Sequence, residues 1–143
     1  MIDINAPILP WKGLGGIRLY TTIRELRKLL ESEEVNAVVY HNMWIKYEVK
    51  NILELFFHLA NGKLFKIVTL DGYKGELFNK IGVNTLESEL FQIEPSFAYD
   101  DFEEVFISDK GVFIETDPIS KKATWISVYI KELNENNFEE ANW

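Results

Sequence analysis

The chain repeats one pattern: a glycine turn, a short amphipathic helical stretch, then a series of apolar, strand-like segments. Gly16-Ile17-Arg18-Leu19 leads into a helical stretch over residues 22–30 and into strand-like segments that run to Leu70. Gly82-Val83-Asn84 leads into a second helical stretch over 85–93 and another strand series ending at Ile130. Doubling of this kind predicts an α+β fold of two tandem repeats, approximately 13–71 and 72–131. Each is a short helical segment plus an antiparallel β-meander. The expected arrangement is two small sheets side by side with the helices on one face. A length of 143 residues, 47% of them apolar, fits a single domain with a real core. Residues 132–143 read as an acidic, Asn-rich tail, frayed or loosely helical.

Local signals place the elements. Thr22-Ile23-Arg24-Glu25 matches a capping box, and Ile23, Leu26 and Leu30 fall on one helical face. Asn84 or Thr85 is expected to cap the second helix, in which Leu86, Leu90 and Ile93 line up before Pro95 ends it. Strands are predicted over 38–40, 44–49, 53–60, 63–70, 103–108, 111–116 and 124–130. Asn61-Gly62 predicts a two-residue hairpin turn, because both residues tolerate positive φ. That register pairs Leu55 with Val68 and Phe56 with Ile67. It also sets Lys66 opposite Phe57 on the inner side, a mismatch that a β-bulge, or an edge from which the ammonium reaches water, would relieve. Around Asp109-Lys110-Gly111 a second hairpin is expected, with Val105, Ile107, Val112 and Ile114 inward and Phe106, Phe113 and Glu115 outward. In the last strand Ile126, Val128 and Ile130 read inward, and Trp125, Ser127 and Tyr129 outward.

This parity leaves Trp44, Phe56, His58, Phe65, Phe106, Phe113, Trp125 and Tyr129 on the side away from the helices. Aromatic residues make up 14% of the chain, and a water-facing sheet surface is normally polar. Two explanations are open. Other parts of the chain, such as the tail with Phe138 and Trp143, cover that face as a second core. Alternatively, the face is an open recognition surface on which aromatic anchors supply most of the binding energy.

Charge narrows the partner. The net charge is −8, but residues 1–71 hold 9 Lys/Arg and 8 Asp/Glu whereas residues 72–143 hold 6 and 15. Such a field repels nucleic acid and attracts cationic surfaces; it either serves solubility alone or steers a basic protein partner. Asp100, Asp101, Glu103, Glu104 and Glu115 are the candidate steering residues, and Phe106, Phe113, Trp125 and Tyr129 the candidate anchors. No direct contact with nucleic acid or membrane is expected, since no apolar run approaches the roughly 20 residues of a membrane helix. Residues 1–5 show neither a basic n-region nor an apolar h-region, so no secretory signal and a cytoplasmic location are expected.

Catalytic chemistry finds little support. There is no cysteine, and the two histidines, His41 and His58, have no metal-ligand spacing around them. Gly13-Leu14-Gly15-Gly16 lacks the Lys-hydroxyl pair of a phosphate loop and the spacing of a dinucleotide fingerprint, so it reads as a turn. No serine sits in a nucleophile elbow. Neither catalytic residues, nor a metal, nor a cofactor are expected.

Tandem Gly-Ile/Val openings followed by a short helix and a meander resemble the β-lactamase-inhibitor-protein-like fold. The segment Gly72-Tyr73-Lys74-Gly75-Glu76-Leu77-Phe78-Asn79-Lys80-Ile81-Gly82-Val83 is similar to the middle segment of small bacterial immunity proteins of contact-dependent growth inhibition and related polymorphic toxin systems, and Gly15-Gly16-Ile17-Arg18-Leu19 also fits. This resemblance implies a non-enzymatic, cytoplasmic protein that binds one cognate toxin domain and neutralises it. A basic nuclease is the electrostatically matching kind. It carries over no functional residue. The alternative is a small-ligand or peptide-binding module using a cleft between the two sheets.

Overall fold

The computed structural model describes residues 1–32 and 34–143. The chain is α+β, built on a large antiparallel sheet. Twelve elements follow one another: β1 (Gly13–Leu14), β2 (Ile17–Arg18), α1 (Arg27–Leu30), β3 (Val35–Tyr40), β4 (Trp44–Val49), β5 (Leu53–His58), β6 (Leu64–Thr69), α2 (Glu87–Ile93), β7 (Ala98–Asp100), β8 (Val105–Ser108), β9 (Val112–Thr116) and β10 (Ala123–Tyr129). Strands β1 and β2 form a small ladder of their own. The other eight form one continuous sheet in the order β3-β4-β5-β6-β10-β9-β8-β7. The two sheets expected side by side are therefore joined, through direct pairing of β6 with β10.

Both helices are shorter than their patterns suggest. The Thr22 box does form: the Glu25 N–H donates to Thr22 Oγ1 at 3.2 Å, and the Thr22 hydroxyl donates to Glu25 Oε1 at 3.0 Å. It closes only a turn, and regular helix begins at Arg27. In the second stretch the Thr85 hydroxyl accepts from the Gly82 N–H at 2.9 Å, looking back along the chain, so neither Thr85 nor Asn84 caps α2. That helix ends at Ile93, two residues before Pro95, as the proline requires.

The core lies on one face of the sheet. Leu53, Leu55, Phe57, Leu64, Ile67, Val112, Ile114, Ile126 and Val128 project there, fully or almost fully buried. Ile8, Leu14, Ile17, Leu30, Leu77, Ile81 and Leu90 belong to the same cluster. Lateral register decides who joins it. Between β5 and β6 the pairing shifts from Phe57↔Leu64 to Phe56↔Lys66, so Phe65 is the extra residue of a bulge. The connection is also longer than the expected two-residue Asn61-Gly62 turn: Phe57 pairs with Leu64, and the His58 N–H donates to the Lys63 carbonyl at 3.1 Å. The longer turn and the bulge together set Leu55 opposite Ile67 instead of Val68, and Phe56 opposite Lys66 instead of Ile67. The shift carries Lys66 out of the core and onto the far face beside Phe56.

A second register correction concerns β8. Asp109, Lys110 and Gly111 form a three-residue connection, with Ser108 opposite Val112 and Phe106 opposite Ile114. An odd loop pairs residues of equal parity, so Phe106 shares the core face with Val112 and Ile114. Val105 and Ile107 turn to the far face instead. One residue of slip reverses every side chain of a strand. In β10 the expected alternation holds: Ile126 and Val128 face the core, and Trp125, Ser127 and Tyr129 the far side.

Candidate functional site

The far face of the sheet is covered at one end and open at the other. The tail from Lys131 onward provides the cover, as two single-turn 3-10 helices over Lys131–Asn134 and Phe138–Glu140. Phe138 is 5% exposed. Its ring stacks on Trp143 at 5.3 Å and meets Phe65 edge-on at 5.1 Å and His58 at 5.6 Å. Asn61 Nδ2 donates to the main-chain oxygens of Ala141 and Trp143, Lys63 Nζ donates to that of Trp143 at 2.9 Å, and the Trp143 indole N–H donates to the Phe138 carbonyl. The tail is thus a structured strap. His58 and Phe65 are interior residues, and the Trp44 indole N–H is buried without an acceptor among the described residues.

The nine candidate site residues divide accordingly. Phe106 is on the core face, 5% exposed, between Tyr99 at 4.9 Å and Phe91 of α2 at 5.6 Å, and is no anchor. Tyr129 has the expected parity but is buried: the Trp11 ring closes over it at 5.4 Å, with Phe113 at 5.6 Å on another side. Trp11 also lies against Gly111, where a Cβ would stand 2.4 Å from two of its ring carbons. Phe113 is half-buried, and Trp125 is 42% exposed. Asp101, Glu103 and Glu104 are exposed. Asp100 spends its carboxylate on the backbone, accepting from the N–H groups of Phe102 at 2.9 Å and Glu103 at 3.1 Å. Glu115 is half-buried beside Trp125, and burial pushes its carboxyl pKa up against the opposing pull of Lys66.

The open part of the far face is a shallow depression of about 240 Å3 walled by Phe56, Val68, Phe113, Trp125, Glu54 and Glu115. Lys66 stands in it, and also lines an adjoining hollow of about 420 Å3 that reaches Asp100, Glu103 and Leu133. The Lys66 ammonium sits over the Phe56 ring at 4.1 Å and lies 5.8 Å from that of Phe113. Among the described residues it has no ion-pair partner within 4.0 Å, because Glu54 is taken by Lys46 at 3.0 Å. Burial pushes the Lys66 pKa down, against the pull of Glu115 and Glu54. Sequence parity did not find this lysine, since the bulge that turns it outward is a property of the folded hairpin.

The loops at the end of the sheet were missed as well. The β7–β8 loop holds Phe102 at 91% exposure between Asp101 and Glu103, and the β9–β10 loop holds Ile119 at 92%. Asp117 fixes the second loop by accepting from the N–H groups of Ile119 and Ser120 at 2.9 and 2.7 Å, which lowers its pKa. Both loops close the same end of the sheet, and Glu103, Glu104, Pro118 and Lys121 border one cleft of about 470 Å3 between them. For Phe102 the available signal is an apolar residue inside an acidic run; Ile119, between Pro118 and Ser120-Lys121-Lys122, carries no such signal. Among the described residues no three His, Asp or Glu side chains are grouped so as to hold a metal ion. No helix among them is long and apolar enough to cross a membrane.

No family model and no curated protein match the chain. Among solved structures it is similar to a cysteine-rich secretory protein from Staphylococcus aureus, with a TM-score of 0.51 and 11% identity over 88% of this chain and 48% of that one. The chain thus spans about half the length of that protein. At this identity the likeness concerns the α+β fold alone, and this chain contains no cysteine.

Proposed function

We propose that this chain is a non-enzymatic immunity protein that binds one cognate toxin domain in the cytoplasm and neutralises it. A basic nuclease is the partner it suits best. The observation that carries this is the end of the sheet where Phe102 and Ile119 stand almost fully exposed, next to Asp101, Glu103 and Glu104. Side chains so apolar gain nothing from water. With Phe102 flanked by Asp101 and Glu103, this end suits a partner surface that is cationic at its rim and apolar at its centre. Trp125, on the far face near the same end, extends the contact toward the Lys66 depression.

We also read the chain as two tandem repeats. Support comes from the strand order: meanders β3–β6 and β7–β10 run outward from the β6–β10 seam, and each is preceded by a short helix. The same seam weakens the small-ligand alternative, since β6 and β10 pair directly where a cleft between two sheets would lie.

The test is titration with the toxin domain encoded by the gene directly upstream. A stable complex is expected, with an association rate that falls steeply as salt rises. Phe102→Ala should weaken it by about 2 kcal/mol, roughly 30-fold, while leaving stability within about 0.5 kcal/mol. Absence of a complex, or an association rate indifferent to salt, would overturn the proposal.

A further inference from the structure

The two outer strands of the sheet differ in how they meet solvent. On one side β7 is three residues long and runs into Asp100 and the acidic loop, two familiar protections of a sheet edge. On the other side β3 is six residues, Val35-Asn36-Ala37-Val38-Val39-Tyr40, with no charge, proline or glycine. It pairs with β4 over all six residues without a bulge, so nothing twists it away. Val38 and Val39 are 47% and 52% exposed, on opposite faces of the sheet.

The open backbone groups of β3 can be assigned. The Lys50 N–H donates to the Glu34 carbonyl at 3.1 Å, so the 34/50 pair is hydrogen-bonded. By antiparallel alternation Asn36, Val38 and Tyr40 bond to β4, and Val35, Ala37 and Val39 turn their groups outward. The Val35 N–H is already used, donating to the Ser32 carbonyl at 3.3 Å. Ala37 and Val39 keep one donor and one acceptor each on the open edge.

We propose that β3 pairs antiparallel with β3 of a second copy of this chain about a two-fold axis through Val38, joining two sheets into one of sixteen strands. In that register Ala37 meets Val39 of the partner copy and Val39 its Ala37, forming four backbone hydrogen bonds that use every unspent group of those residues. Val38 meets its own counterpart at the axis, in the closer, non-hydrogen-bonded kind of pair. On the same face Asn36 meets Tyr40. Both exposed valines become covered. No like charges are placed in contact: the strand is neutral, and the nearest cation beside it, Lys46 on β4, is paired with Glu54. The two Lys46 residues stand three strand spacings apart, roughly 14 Å, beyond the Debye length at physiological salt. The acidic end of the sheet lies at the opposite edge, away from the contact.

The test uses the full chain alone. Sedimentation from about 1 to 500 μM should show the mass rising from 16.7 kDa toward twice that value. Val38→Lys, which opposes two charges at the axis on an exposed position, should hold the chain monomeric throughout with an unchanged circular dichroism spectrum. Because the chain has no cysteine, Val38→Cys provides a second readout. It should oxidise to a disulfide-linked dimer at least ten times faster than Asn36→Cys, whose counterpart across the axis is Tyr40. A wild-type chain that stays monomeric at every concentration, or equal cross-linking of the two cysteine variants, would overturn the proposal. A strand supplied only by a different protein would give that monomeric result.

Discussion

Lys66→Met should stabilise the fold. The lysine sits over Phe56 at 4.1 Å in a depression walled by aromatic rings and by the carboxylates of Glu54 and Glu115, with no ion-pair partner within 4.0 Å among the described residues. Two opposing effects set the magnitude. Withdrawing an ammonium from water costs several kcal/mol even after relaxation. Against it stand the attraction to the Phe56 ring, about 1–2 kcal/mol when desolvated, and the more distant pull of Glu115 and Glu54. A methionine fills nearly the same unbranched volume and keeps the ring contact as dispersion. The difference favours methionine by about 1–2 kcal/mol, read as a higher urea midpoint with an unchanged m-value. The pH dependence isolates the cause. The folded-state pKa of Lys66 lies below its unfolded 10.5, so between those two values the unfolded chain binds more protons. Stability then rises with pH across that window in the wild type. Tyrosines whose pKa values are raised, such as Tyr129, act oppositely above pH 10, so the quantity to follow is wild type minus variant. The penalty relative to the variant should shrink as pH climbs toward 10.5. A variant less stable by more than about 1 kcal/mol, or a difference flat in pH, would refute the account of Lys66 as a desolvated, unpaired cation.

Three further outcomes follow from contacts described above. Gly111→Ala should lose at least about 2 kcal/mol in urea unfolding, because φ is +92° there and the new Cβ would meet the Trp11 ring; a loss below about 0.5 kcal/mol would mean that Trp11 does not rest on this turn. Phe138→Ala should cost about 3 kcal/mol and raise amide exchange through residues 131–143, and a neutral result would show that the strap does not seal His58 and Phe65. Glu115 has its folded pKa above the unfolded 4.5, so its contribution is present at acid pH and declines as pH rises through the folded value. Stability of wild type minus Glu115→Gln should therefore fall with pH in that window, and a rising difference would contradict the burial that raises its pKa.

Part of the sheet was legible because burial on one face favours period two: in β9 Val112 and Ile114 are buried and Phe113 and Glu115 half-buried, whereas β4 is half-buried almost throughout and β10 is buried on both faces from Ile126 to Tyr129. The mismatch of Lys66 with Phe57 left a bulge and an exposed edge both open, and the fold takes the bulge at Phe65. Parity failed at Phe106 for a different reason: the loop 109–111 is odd, and its length cannot be read from hydrophobic pattern alone. At the candidate site, the acidic loop residues Asp101, Glu103 and Glu104 were legible from charge and are exposed, whereas Phe102 and Ile119 were passed over. The aromatic count was a true signal with a divided destination. Phe65, His58 and Tyr129 became interior, and Trp125 stayed in contact with water.

The amino-acid order by itself determined which segments leave water, where turns are permitted, and that the negative charge gathers in residues 72–143, since each depends on neighbours a few positions apart. Only the tertiary structure decided which side each strand presents, because one inserted residue reverses a whole strand. It alone also decided which rings are covered. Trp143 reaches Asn61 across 82 positions, and Trp11 reaches Tyr129 from the other end of the chain; such meetings exist only once the sheet has formed a surface to receive them.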